Sequence, residues 1–223
     1  MKKLNRKLLR RKFYPGWLYF WRKKLTPISK KYGMNRGTPV DRHYINNFLE
    51  EYKNDIGGTC LEVRDNRYGQ QYANRIKKLD ILDIDHGNKE ANLYGDLRSL
   101  DKVPNNVYNC LILTQVLQYI DDLPSTIKEC HRILKPGGVL LLTVPAISRL
   151  DPKAPEYWRF TPDGLASLLN TIFGQEKTKI SAYGNVLTGL GFWVGQVAEE
   201  FSTKKLDYSD PMFPVLIAAR AIK

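Results

Sequence analysis

Short runs rich in apolar and β-branched residues read as strands along this chain: Thr59–Val63, Leu79–Ile84, Ala91–Tyr94, Cys110–Leu113, Val139–Val144, Lys177–Ala182 and Pro214–Ile222. Between Cys110–Leu113 and Val139–Val144 the rhythm changes. Leu123, Ile127, Cys130 and Ile133–Leu134 recur at i, i+4, i+7 and i+10, which predicts a helix over Leu123–Leu134 with one dry and one wet face. Lys135 then supplies a last-turn cation, Pro136 stops the helix, and Gly137–Gly138 turn the chain into the next strand. A strand, a helix and a second strand, with the strands nearly continuous in apolar residues, predict an α/β doubly wound, mostly parallel sheet. Such sheets bind ligands beyond the carboxyl ends of their strands, which here means Thr114–Gln115 and the residues from Pro145 onward.

Three further helical stretches frame this unit. One follows Asp41, an expected cap, with Ile45, Phe48 and Leu49 as its apolar stripe. Another starts after Thr161, with Pro162 at its first position and Leu165, Leu168 and Leu169 facing inward. The last runs from about Val186 to Phe201.

The formal net charge of +12 suggests nucleic acid until it is divided along the chain. Residues 1–40 hold thirteen Lys and Arg and no acid, whereas the remainder holds twenty-two against twenty-three Asp and Glu. The basicity therefore belongs to an extension, residues 1–36, and the domain at 37–223 is nearly neutral. If KKLNRKLLRRKF is helical, Leu4, Leu8, Leu9 and Phe13 gather on one side and most cations on the other. The cluster Trp17–Trp21 and then Arg22-Lys23-Lys24 follow. Three readings compete: residues 1–31 dock on an anionic membrane surface, the aromatic cluster packs on its own domain or a partner subunit (a homo-oligomer included), or the segment binds nucleic acid. The near-neutral domain disfavours the last.

Cys60, Cys110 and Cys130 lie in or beside apolar runs and read as buried thiols in a reducing compartment. No His/Cys cluster has metal-ligand spacing, so no metal is expected. With no apolar run of eighteen residues and no small-residue cleavage site, neither a transmembrane helix nor a signal peptide is expected.

The stretch TQVLQYIDD…HRILKPGGVLLLTVP resembles the fourth and fifth strands of class I S-adenosylmethionine-dependent methyltransferases, and RxLKPGG is among their more specific signatures. The runs TPVDRxY and YWRFTPxGL resemble a type 11-like branch found among bacterial proteins of polysaccharide and glycosyl-transfer pathways. The resemblance implies a Rossmann-like, seven-stranded sheet with an antiparallel last strand and S-adenosyl-L-methionine as cofactor. It implies that Glu62, at the end of the first strand, is followed by a glycine-rich turn. Here those glycine positions hold Arg64, Asn66 and Tyr68. Asn tolerates a left-handed backbone. Arg64 either obstructs the methionine part of the cofactor or contacts its carboxylate or an anionic substrate.

By the same resemblance Asp96 and Leu97 recognise adenine, Thr114 and Gln115 line the cofactor cleft, and Arg42 and Tyr44 face the pocket. A carboxylate ending the second strand can accept both ribose hydroxyls, and Asp83 comes ahead of Asp85 for that role. Gln118 reads as a hydrogen-bonding group of the substrate pocket, standing where many relatives carry His. Tyr157 and Arg159 could reach an acceptor, against a bland reading in which Trp158 and Phe160 simply anchor their loop.

Methyl transfer is an in-line displacement that demands alignment, and a hydroxyl acceptor benefits from a base. Of His43, His86 and His131, His43 is the best-placed candidate. The expected activity is O-methylation of a bacterial surface glycan or its lipid-linked precursor, or of another small molecule, by a cytoplasmic protein at the inner membrane face. Two competing readings remain: a non-catalytic module disabled by Arg64, and an RNA methyltransferase. Calorimetry with the cofactor separates the first, and comparison of liposome with RNA binding the second.

Overall fold

The computed structural model describes residues 25–223, so the expected amphipathic helix and the Trp17–Trp21 cluster lie outside the described residues. Two compact units are present. One comprises the residues up to Tyr44 with Ile147–Arg149 and Tyr183–Val215; the other comprises Ile45–Ala146, Leu150–Ala182 and Leu216–Lys223.

The second unit is built on strands β1 (Gly58–Val63), β2 (Ile76–Asp83), β3 (Leu93–Tyr94), β4 (Tyr108–Thr114), β5 (Leu134–Pro145), β6 (Thr178–Tyr183) and β7 (Leu216–Ile222). They form one sheet in the order β3-β2-β1-β4-β5-β7-β6. Strands β1 to β5 pair in parallel, and β7 runs antiparallel to β5, with Val139 opposite Ile222 and Pro145 opposite Leu216. The chain leaves β1 in one direction and β4 in the other, so the switch in strand order falls between these neighbours, where open α/β sheets place their ligands.

The central strands are buried on both faces, as their unbroken apolar runs require. Leu61, Leu111, Leu113, Leu140 and Leu142 are all fully buried, each burial stabilising by about 1.5–3 kcal/mol. Helix α1 (Val40–Glu51) precedes β1, α2 (Leu123–Ile133) joins β4 to β5, and α3 (Pro162–Phe173) follows β5. Leu123, Ile127, Cys130 and Ile133 are the buried face of α2, as the periodicity predicts, and Asp122 caps it by accepting from the Ser125 N–H. Thr161 caps α3, its hydroxyl accepting from the Gly164 N–H at 3.1 Å. The three cysteines are buried and unpaired.

Three local expectations fail, each for a tertiary reason. Helix α2 ends at Ile133, and Leu134 already pairs with Tyr108. The Lys135–Gly138 turn is therefore a bulge inside β5, with the register resuming at Cys110 opposite Val139. Gly137 (φ 75°) donates to the Lys223 carbonyl, and the Lys223 N–H returns to Gly138, where a side chain would meet the Lys135 and Tyr108 carbonyls at 2.9 and 3.0 Å. Asp41 lies within the first turn of α1 rather than ahead of it, a position the helix dipole still favours. The expected helix to Phe201 is two pieces, α4 (Val186–Val194) and a single turn at Ala198–Glu200, separated by left-handed Gly195.

Within the first unit, Asn185 and Thr188 close a capping box on α4. The chain before α1 is tied by the Pro39–Val197 bridge, the Arg36–Glu200 ion pair, and the Thr38 N–H and hydroxyl on Glu199. Helix α5 (Thr203–Asp207) completes it.

Candidate functional site

At the end of β1, Glu62 is buried and receives the Tyr68 N–H at 3.0 Å and the Gly69 N–H at 2.7 Å, closing residues 63–68 into a loop. Burial pushes its carboxyl up to about 7, against the opposing pull of those two N–H groups. Gly69 is tightly packed there: a Cβ would sit 2.7 Å from Leu79 and 2.9 Å from the Glu62 carboxylate.

Inside the loop Arg64 has φ 80°, the left-handed region that glycine favours. Its N–H donates to the Leu82 carbonyl at 2.8 Å, and its own carbonyl accepts the Asn88 side-chain amide at 2.5 Å. The Arg64 side chain is exposed, with no carboxylate partner among the described residues. Asn66 is exposed and accepts the Gln70 N–H through its carbonyl, whereas Tyr68 is buried and reaches the loop through its N–H.

Asn88 is the residue that sequence reasoning missed. The same amide donates to Asp83 Oδ2 at 2.7 Å, so one side chain links the β1 loop to the end of β2. Asp83 Oδ1 accepts the Asp85 N–H at 2.9 Å, and Asp85 in turn accepts from Gly87. Asp83 is half-buried and Asp85 exposed. The His86 ring stacks on Tyr94 at 4.8 Å, whose hydroxyl bonds the Asn88 and Ala91 carbonyls. The run Asp85-His86-Gly87-Asn88 carries turn chemistry, but nothing local in it shows that Asn88 reaches back to Arg64.

Beyond β3, both Asp96 oxygens are held by Arg98, which also reaches Asp121 at 2.7 Å. The Arg98 fork holds the Asp96 carboxyl below its ordinary value. Leu97 belongs to the core, so only its backbone is available to a ligand.

Past β4, Gln115 is left-handed (φ 58°), and its N–H donates to the Thr143 carbonyl at 2.8 Å. Thr114, the last residue of β4, lies opposite Thr143 in the sheet. Gln118 is 4% exposed, and its amide donates to the Gln115 carbonyl and Oε1 at 3.0 and 3.3 Å. Its own Oε1 and the Thr143 hydroxyl are buried without a hydrogen-bond partner among the described residues. Buried polar atoms left so are costly unless a ligand or water satisfies them.

The loop after β5 is fastened alongside. The Tyr157 N–H donates to the Gln118 carbonyl at 2.8 Å, and the Trp158 indole donates to the Ile120 carbonyl at 2.8 Å. The Tyr157 ring is exposed, while Arg159 is engaged by buried Glu156 at 2.7 Å. Trp158 and Phe160, whose N–H bonds the Pro145 carbonyl, thus anchor the loop, and Tyr157 presents its side chain.

Arg42, His43 and Tyr44 belong to the other unit. His43 Nε2 lies 3.4 Å from Asp207 Oδ1, a partner absent from the sequence-based expectations, and its ring meets Tyr44 edge-on at 5.5 Å. Tyr44 is buried and stacks on Tyr183 at 5.9 Å; burial raises its phenol above the ordinary value. Arg42 lies 3.9 Å from Asp41.

Residues 45–173 match a family described as a methyltransferase domain. Among curated proteins the chain is 33% identical over 104 residues to the highly reducing polyketide synthase phiA of Fungal sp. (strain ATCC 74256); this match takes in 47% of the chain and spans 4% of that relative's length. Among solved structures, a SAM-dependent methyltransferase from Archaeoglobus fulgidus superposes with a TM-score of 0.57 at 16% identity, covering 82% of this chain and 94% of that one. A Burkholderia thailandensis 1,6-didemethyltoxoflavin-N1-methyltransferase, bound to its namesake compound and S-adenosylhomocysteine, gives 0.53 at 12% identity over 82% and 78%. The [4+2]-cyclase SpnF gives 0.54 at 15% over 90% and 88%, so this fold alone does not specify a reaction.

Proposed function

We infer the function from one premise: this chain belongs to the methyltransferase domain family. We propose that its donor is S-adenosyl-L-methionine and its acceptor a hydroxyl of a small molecule or glycan, either a bacterial surface glycan or its lipid-linked precursor. We place the reaction at the inner membrane face, to which the basic residues 1–31 would bring the domain through anionic lipid.

The observation that carries the donor assignment is the cradle joining the ends of β1 and β2. Glu62 ties the loop shut, and Asn88 holds both the Arg64 carbonyl and the Asp83 carboxylate. The residues fit the donor. Asp83 would take the ribose hydroxyls with Asp85 beside it. The backbone over Arg64–Asn66 and Tyr68 would pass beneath the cofactor, and the exposed Arg64 guanidinium suits its carboxylate. Asp96 and the Leu97 backbone would meet adenine, and Thr114 and Gln115 would close the cleft. When bound, the donor supplies an electrophilic methyl group on a positively charged sulfur.

What the chain itself must do is align an acceptor and remove its proton. Gln118 Oε1, a buried acceptor lacking a donor, suits an incoming hydroxyl, and Tyr157 and Arg159 are the further acceptor contacts proposed on the same unit. On chemical grounds His43 is our proposed base: among the described residues it is the imidazole with a carboxylate partner, Asp207.

Calorimetry with S-adenosylhomocysteine tests the donor. The wild-type chain binds, and Asp83→Asn weakens binding about tenfold or more, the equivalent of ~1.4 kcal/mol. Absence of heat with both S-adenosylmethionine and its demethylated product refutes the assignment.

A further inference from the structure

Helix α4 is apolar on both sides. Its buried positions are Thr188, Gly189, Gly191, Phe192 and Val194, while Val186, Leu187, Leu190 and Trp193 are each between 43% and 54% exposed. These four fall at i, i+1, i+4 and i+7, a single face. The glycines enforce the arrangement: a Cβ at Gly191 would meet the Phe201 ring at 2.4 Å and one at Gly189 would meet Ile147 at 3.3 Å.

The apolar face continues past the start of α4. Asn185, its cap, donates to the Lys205 and Tyr208 carbonyls at 2.8 and 2.7 Å, and the Asp210 N–H bonds the Gly184 carbonyl. This brings up a loop carrying Met212 and Phe213, 80% and 50% exposed, and the exposed cations Lys204 and Lys205 of α5. At the opposite end of α4 the Ile28 and Ser29 N–H groups bond the Val194 carbonyl. The described chain thus enters the unit at this helix, and residues 1–24 before it hold ten Lys and Arg and no acid.

We propose that this face seats in the headgroup–acyl boundary of an anionic bilayer, with Lys204 and Lys205 at the phosphate level. The proposal rests on the membrane-face reading above and adds a second, folded contact to it. The composition matches the occupant: Trp and Phe favour the interface, aliphatic side chains the acyl edge, and flanking lysines the anionic headgroups. A second copy suits the face less well. A nine-residue helix about 13 Å long and ~10 Å wide, even with the Met212–Phe213 loop beside it, falls short of the ~800 Å² per partner of a standard interface.

The test is flotation of the full chain with phosphatidylcholine vesicles, with and without phosphatidylglycerol, comparing wild type with Leu190→Ser/Trp193→Ser. Both substituted side chains are about half exposed and lie on the outer face, so thermal unfolding is expected to shift little and is measured alongside. The expected result is wild-type binding that requires phosphatidylglycerol and a partition about tenfold weaker for the variant, ~1.4 kcal/mol. Equal flotation of both proteins overturns the proposal and leaves the membrane-face reading standing; failure of wild type to float overturns both. A wild-type dimer that the variant loses assigns the face to a second copy instead. Trp193 emission, read with Trp17, Trp21 and Trp158 replaced by Phe, that reddens without lipid on deletion of residues 1–24 assigns it to the chain's own segment; either result overturns the proposal.

Discussion

Replacing Glu62 by Gln removes a titration that the fold has moved into the neutral range. The carboxyl is 1% exposed, and its value rises from 4.5 to about 7 because the charged form loses water, a cost that the Tyr68 and Gly69 N–H groups only partly offset. A carboxyl whose folded value lies above its unfolded value stabilises the fold at low pH, and that contribution is lost as pH rises through about 7. The shift corresponds to about 3 kcal/mol at ~1.36 kcal/mol per unit, nearly all of it lost between pH 4.5 and pH 8. Every other titrating group is shared by wild type and Glu62→Gln, so its contribution cancels in their difference. Urea unfolding at intervals across this range should therefore give a wild-type-minus-variant stability that falls by about 3 kcal/mol toward high pH. The amide adds a constant offset, since its NH2 must face one of the two N–H donors, on the order of 1–3 kcal/mol. A difference that is flat with pH would show that the loop N–H groups fully offset burial, and the reasoning would be wrong.

Arg64 tests the backbone in the same loop. Arg64→Gly releases a left-handed non-glycine residue costing about 1–2 kcal/mol, offset by ~0.5–1 kcal/mol of glycine entropy. A small rise in thermal midpoint is therefore expected, and Arg64→Val should lower it. Asn88→Ala deletes the bridge between the Arg64 carbonyl and Asp83, about 1–2 kcal/mol for two hydrogen bonds, and calorimetry should show weaker S-adenosylhomocysteine binding. Asn88→Asp, which sets a second carboxylate against Asp83, should be worse on both readouts. Gly69→Ala drives a methyl group to within 3 Å of Leu79 and Glu62, costing about 1–3 kcal/mol in urea unfolding; an unchanged midpoint would mean that the Leu79 side chain yields freely.

The parts legible in the chain were those whose signal is local. Unbroken apolar runs marked β4 and β5, the period of Leu123, Ile127, Cys130 and Ile133 marked α2, and Thr161-Pro162 marked the start of α3. Burial of a face leaves its period in the sequence because every residue of that face meets the same apolar surroundings. The ends of β1 and β2, where Glu62 and Asp83 stand, were likewise legible, Glu62 through the family resemblance and Asp83 as a carboxylate closing its strand.

What the chain by itself determined, then, was an alternating α/β order, the carboxyl ends of strands as the expected place for chemistry, and a strongly basic front segment on a neutral domain. Only the tertiary structure decided that Lys135–Gly138 bulges inside β5 to meet Lys223, that Asn88 joins Arg64 to Asp83, that Asp207 faces His43, and that α4 buries Gly189 and Gly191 while leaving Leu187, Leu190 and Trp193 exposed. The physical reason is range. Asn88 lies 24 positions from Arg64 and Asp207 164 from His43, and no local pattern encodes a hydrogen bond across such distances. Nor does periodicity state which side of an apolar helix is buried when glycine, by admitting a neighbouring ring, outcompetes leucine for the inner face.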